Sequence, residues 1–142
     1  MFFKISRLIT LSLALLPTLA VAELATLTVN ITDAEPATGS IEVSLFDSAE
    51  AFLKKAYLQK PCSPAEDGSC SVTFAALDEG DYAVAVAHDA NDNKKLDNGF
   101  LGFGAEGFGY SNGASNPLFG RADFDDAKIT ITESTTIDIS LD

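Results

Sequence analysis

Period-two alternation dominates the chain. Ala25, Leu27, Val29 and Ile31 share one face, with Thr26, Thr28 and Asn30 on the other. Ile41, Val43 and Leu45 alternate with Glu42 and Ser44, and Val72, Phe74 and Ala76 follow in the same phase. Tyr82, Val84 and Val86 face away from Ala83, Ala85 and Ala87. Ile129 and Ile131 alternate with Lys128, Thr130 and Thr132, and Ile137, Ile139 and Leu141 with Thr136, Asp138 and Ser140. Such alternation is the mark of strands buried on one face. Six short strands of this kind predict an all-β fold, an antiparallel β-sandwich of immunoglobulin-like or transthyretin-like form, because each apolar face must be covered by another. Turn residues punctuate the strands at Pro36 to Gly39, at Asp78 to Asp81 and at Glu133-Ser134. Residues 48–60 are the one stretch that reads as helical, for about two turns.

Residues 89–126 break the pattern. They hold 7 of the 10 glycines, together with Phe100, Phe103, Phe108, Tyr110, Phe119 and Phe124. A connection this long in a compact domain is functional or disordered, and the six aromatic residues give it something to bury. The bland expectation is a satellite core beneath a long loop. The sharper one is a glycan-binding surface over residues 99–120, because aromatic faces suit the apolar faces of sugars.

The N-terminus changes the picture of where the chain works. Lys4 and Arg7 precede an apolar run from Leu8 to Leu16, Pro17 interrupts it, and Ala20-Val21-Ala22 supplies small residues for cleavage. This is the layout of a secretory signal peptide over residues 1–22. The run is shorter than the roughly 20 residues of a membrane span. Cleavage after Ala22 leaves a single domain, residues 23–142, bound for the periplasm or the cell exterior. The nine basic residues less Lys4 and Arg7 leave seven against 21 acidic ones, a net charge of −14. That charge repels nucleic acid and anionic lipid and favours cations. Cys62 and Cys70 are the only cysteines, and an even count in an exported chain predicts a disulfide.

The best candidate chemistry lies in His88-Asp89-Ala90-Asn91-Asp92-Asn93-Lys94-Lys95-Leu96-Asp97. Asp89, Asn91, Asn93 and Asp97 occupy positions 1, 3, 5 and 9 of a D-x-N-x-N calcium loop, and the backbone carbonyl of Lys95 serves position 7. Ca²⁺ takes six to eight hard oxygens, and alternate residues of a tight loop turn theirs inward. Two positions depart: Lys94 stands where the turn prefers glycine, and Phe100 where a bidentate glutamate belongs. Glu106 is the nearest carboxylate to complete the shell, with Asp123, Asp125 and Asp126 behind it. The competing reading is an Asx-rich turn whose side chains cap their own backbone. Catalysis finds little footing. His88 is the only histidine, and a Ser–His–Asp reading would recruit Ser111 without the usual sharp G-x-S-x-G turn. The expected role of His88 is a ring hydrogen bond to loop backbone or a carboxylate.

These residues also resemble a known family. Gly80-x-Tyr82-Ala83, His88-Asp89-x-Asn91-x-Asn93-x-x-Leu96-Asp97, Gly102-x-x-x-Glu106-Gly107-x-Gly109-x-Ser111-Asn112 and Phe124-x-Asp126-Ala127 are similar to the uncharacterised bacterial family catalogued as domain of unknown function 2141. Lys94 and Gly104 depart from the glycine and proline usual there. The resemblance implies an exported β-sandwich and brings no established activity. The sequence therefore yields two readings: a non-enzymatic exported protein with a Ca²⁺-binding loop at 89–106, or a cell-surface ligand- or glycan-binding module.

Overall fold

The computed structural model describes residues 16–90, 92, 107–115 and 121–141. Eight strands run through them: β1 Ala25–Thr32, β2 Ser40–Phe46, β3 Leu58–Cys62, β4 Cys70–Leu77, β5 Gly80–Asp89, β6 Phe108–Tyr110, β7 Ile129–Ile131 and β8 Thr135–Ser140. A 3-10 turn spans Ser111–Gly113, and one helical turn, α1, spans Phe124–Ala127. One sheet has the order β4-β1-β8; the other runs β3-β2-β5-β6, with β7 also paired to β5. The pairings among the described strands are antiparallel except that of β1 with β8, which is parallel.

The alternating positions do what alternation demands. Leu27, Val29 and Ile31 of β1, Ile41, Val43 and Leu45 of β2, Phe74 of β4 and Val84 and Val86 of β5 are fully buried in one core drawn from both sheets. At about 25 cal/mol per Å² of apolar surface removed from water, this burial is the main term holding the sheets together.

Three expectations need correction. Residues 48–56 form turns, not a helix, and the chain then enters β3. A bond from the Tyr57 N–H to the Leu45 carbonyl, 2.8 Å, leads into that strand. Leu58-Gln59-Lys60-Pro61-Cys62 shows no apolar alternation because it is an exposed edge strand with little face to bury. The second correction is Ala76, which is exposed while Leu77 is buried. Ala25 pairs with Leu77 but Leu27 with Phe74, so β4 carries one extra residue, and Ala76 takes it up at φ +58°. The third is the strand count, which rises from six to eight by β3 and the three-residue β6.

Both sides of the sandwich are closed. On one side the Cys62–Cys70 disulfide joins β3 of one sheet to β4 of the other. Beside it, the Lys60 ammonium donates to the Thr73 carbonyl and lies over the Phe74 ring. On the other side β6 meets β8 at Gly109, where an added Cβ would fall 2.6 Å from Ile139 Cγ2 and 2.8 Å from the Ser140 carbonyl oxygen. Only glycine lets the two edges approach this closely.

The five-stranded sheet is also covered on its outer side. Phe46, Phe52, Leu53, Ala83, Ala85, Tyr110, Ala122 and Phe124 form a second buried cluster there. Phe52 stacks edge-on against Phe46 and Phe124 at 5.2 and 5.8 Å between ring centres. Of the six aromatic residues expected to pack beneath the long loop, Tyr110 and Phe124 are buried here and Phe108 packs against them, while Phe46 and Phe52 come from β2 and the 48–56 turns; Phe100, Phe103 and Phe119 lie outside the described residues.

Candidate functional site

The long loop leaves and re-enters the sheet at neighbouring points. β5 ends at Asp89 and β6 begins at Phe108, with Ala87 opposite Phe108. The His88 N–H donates to the Gly107 carbonyl at 3.0 Å, closing the base. The loop is thus the connection of a β5–β6 hairpin, and Asp89 stands at its exit. A turn follows at once, since the Asp92 N–H reaches the Asp89 carbonyl at 3.3 Å and Asp92 has φ +50°. Left-handed backbone at an Asp is affordable because its short polar side chain bonds locally.

The Pro36–Gly39 turn fixes this exit. Gly39 has φ +63°, and a Cβ on it would lie 1.8 Å from the Asp89 carbonyl oxygen. His88, 1% exposed, places Nε2 2.8 Å from the Thr38 carbonyl oxygen. A carbonyl only accepts, so Nε2 carries a proton and donates. Nδ1 is buried without a hydrogen-bond partner. The expected ring-to-backbone bond is present, but its partner belongs to the 36–39 turn and not to the long loop.

Of the calcium-loop positions, Asp89 is described; Asn91, Asn93, Lys95, Asp97 and Glu106 lie outside the described residues. Among the described residues no group of three or more His, Cys, Asp or Glu side chains gathers to hold a metal. Asp123, Asp125 and Asp126 sit on and just before α1.

Ser111 has a structural task that sequence reasoning missed. β6 pairs with Ala85–Ala87 and β7 with Gly80–Tyr82, so one stretch of β5 lies between the two pairings. The Ser111 hydroxyl fills it: Oγ accepts from the Val84 N–H at 2.9 Å and donates to the Ala127 carbonyl. A buried N–H left unpaired would cost about 1–3 kcal/mol, so this serine is committed to the backbone. The position of Ser111 one residue beyond a three-residue strand gave no periodic signal. Asn112, at φ +60°, adds a side-chain bond to the Lys128 carbonyl.

Burial and hydrogen bonding tune the charges on the frame. Burial raises the Tyr110 hydroxyl and the Glu42 carboxyl above their ordinary values. The Ser140 hydroxyl, then that of Thr32, holds Asp33 below its ordinary value, and Ser69 does the same for Asp67.

Two facing sheets, one of them carrying the β5–β6 hairpin, define an acidic β-sandwich. Residues 29–138 match the family of uncharacterized proteins conserved in bacteria (DUF2141), and the chain belongs to that family. Comparison with curated proteins and with solved structures returns no match. No helix among the described residues is long and apolar enough to cross a membrane.

Proposed function

We propose that this chain is exported, cleaved after Ala22, and works in the periplasm or outside the cell as a non-enzymatic β-sandwich whose 89–106 loop binds Ca²⁺. The observation that carries the reading is the oxygen-bearing spacing Asp89, Asn91, Asn93, Lys95 and Asp97 at the exit of a loop whose base is fixed by the His88–Gly107 bond. The side chains of Asp89, Asn91, Asn93 and Asp97, the Lys95 carbonyl and Glu106 supply the ligands. The bound ion offsets the repulsion among Asp89, Asp92 and Asp97. Leu96 then anchors the loop to the end of the sandwich, either for stability or to shape a partner surface. The non-enzymatic part is supported by the engagement of the His88 ring with Thr38 and of the Ser111 hydroxyl with Val84 and Ala127. We prefer calcium to a glycan surface at 99–120 because Tyr110 is 3% exposed and turned into the second cluster.

Melting the protein in millimolar Ca²⁺ and in chelator tests the reading, with Mg²⁺ as the control for charge screening. At about 100 times the dissociation constant, linkage adds roughly 2.7 kcal/mol. Asp89→Ala and Asp97→Ala should each abolish the increment, and Asp47→Ala should keep it. No calcium-specific rise, together with no heat of binding at millimolar Ca²⁺, makes the loop an Asx-capped turn.

A further inference from the structure

A cavity of about 670 Å³ opens on the outer side of the five-stranded sheet, between the 49–54 turns and residues 121–126. Its volume falls within the range of small-molecule sites, roughly 300–1,000 Å³. The floor is apolar: Phe52, Leu53, Ala122 and Phe124 are all buried in the second cluster. The rim is charged, with Lys54 and Arg121 against Asp123, Asp125 and Asp126.

The pairing of those charges is informative. Asp125 is engaged by Lys128 at 3.6 Å. That leaves Lys54 and Arg121 facing Asp123 and Asp126, two of each sign. The ion pairs among the described residues are those of Lys128 with Asp81 and Asp125, so neither rim cation meets either remaining rim anion. Opposite charges around one hollow that do not join each other can both be satisfied by a ligand carrying both signs. A plain anion would meet the two aspartates, and a plain cation would meet the lysine and arginine. A ligand with an ammonium, a carboxylate and an apolar body meets a partner at every point.

We propose that this cavity binds a short peptide with free termini and apolar side chains. Its carboxylate is held by Arg121 and Lys54, its ammonium by Asp123 and Asp126, and its side chains lie on the Phe52–Phe124 floor. Arg121 is the stronger carboxylate partner, because its planar fork makes two parallel bonds. All four charged groups are exposed, so each end contributes modestly and binding is weak.

The dipeptide Leu-Phe serves as probe, titrated into isotope-labelled protein and followed by the amide resonances of Phe52, Ala122 and Phe124. Its N-acetylated and C-amidated forms each lack one charge. Saturable shifts with Leu-Phe at millimolar concentration are expected, with each capped form weaker by roughly three-fold. Arg121→Gln should weaken Leu-Phe and leave its amide unchanged, and Asp123→Asn should weaken Leu-Phe and leave its N-acetyl form unchanged. Both are surface changes that keep the fold, which the unshifted core resonances would verify. Absence of saturable shifts overturns the proposal. So does equal or tighter binding of either capped form, which would make the cavity a simple anion or cation site or a merely apolar crease. The titration is run without calcium, and the loop reading is judged by its own melting experiment, so the two proposals fail separately.

Discussion

The two outer faces of the sandwich differ in kind. On the three-stranded sheet, Thr73, Thr28 and Thr136 stand in one row across β4, β1 and β8, and Ser71, Asn30 and Asp138 in the next. Ser71 donates to Asn30 at 3.0 Å and Asn30 to Asp138 at 2.9 Å, so this face is a hydrogen-bonded polar layer open to water. On the five-stranded sheet, Ala83 and Ala85 occupy the corresponding outward positions of β5 and are fully buried under Phe52, Tyr110 and Phe124. One sheet is therefore two-faced in the ordinary way, and the other is the middle of a three-layer stack. Strands buried on both faces read as continuous apolar runs, and the run Tyr82 to Ala87 is one.

The sharpest way to break this comparison is to truncate one residue on each face. Phe52→Ala should cost about 3–5 kcal/mol by removing the centre of the second cluster. Thr28→Ala on the open face should stay within about 0.5 kcal/mol. Urea denaturation measures both, and equal costs would mean that the outer cluster is no core.

The disulfide comes next. Replacing Cys62 and Cys70 together by serine should cost about 2–3 kcal/mol in the chain-entropy view of so short a loop. The loss should appear as a lower urea midpoint with the five-stranded sheet still covered, as read by the amide resonances of Phe52 and Phe124. Loss of the second cluster along with the disulfide would show that the two sides are not independent.

Ser111→Ala tests the edge of the doubly covered sheet. It leaves the Val84 N–H and the Ala127 carbonyl without their shared partner and should cost about 2 kcal/mol. Amide exchange at Val84 should accelerate more than exchange at Val29 in the facing sheet. If the two remain alike, the hydroxyl is not what joins β5 to α1.

The smallest effects concern pH, and their signs differ between the sheets. Asp33, held low by Ser140 and Thr32 at the end of the three-stranded sheet, stabilises the fold when ionised. That contribution is present above the ordinary aspartate value and is lost as pH falls below about 4. Glu42, raised by burial on the five-stranded sheet, works the other way: its folded form prefers the proton, and stability falls as pH rises through and above the ordinary glutamate value. Asp33→Asn should therefore lower the melting temperature near neutrality, and Glu42→Gln should raise it slightly. Both differences should close in acid, and a Glu42→Gln protein less stable at neutral pH would contradict the burial argument.

Much of the frame was legible because alternation is a local consequence of covering one face of a strand. The phases of β1, β2, β5 and β8 hold residue for residue, and Cys62 and Cys70 are joined. Where a strand has little to bury, or its register shifts, the reading failed. β3 buries almost nothing and so carries no phase. Ala76 keeps the alternating phase on paper, yet the extra residue of β4 is a matter of pairing with β1, and it hands the core position to Leu77.

The sequence by itself determined that this chain is a sandwich of alternating strands with an acidic, oxygen-rich insertion after His88, because side-chain periodicity and composition are properties of neighbours along the chain. Tertiary structure alone decided which strands are partners, including the parallel pairing of β1 with β8. It alone brought Gly39 and Thr38 against His88 and Asp89 across some 50 residues, and it gathered Phe52, Phe124 and Ala85 into a second core. Those contacts join residues far apart in sequence. Their signal is a fit of shape and hydrogen bonding between two segments, and neither segment carries it alone.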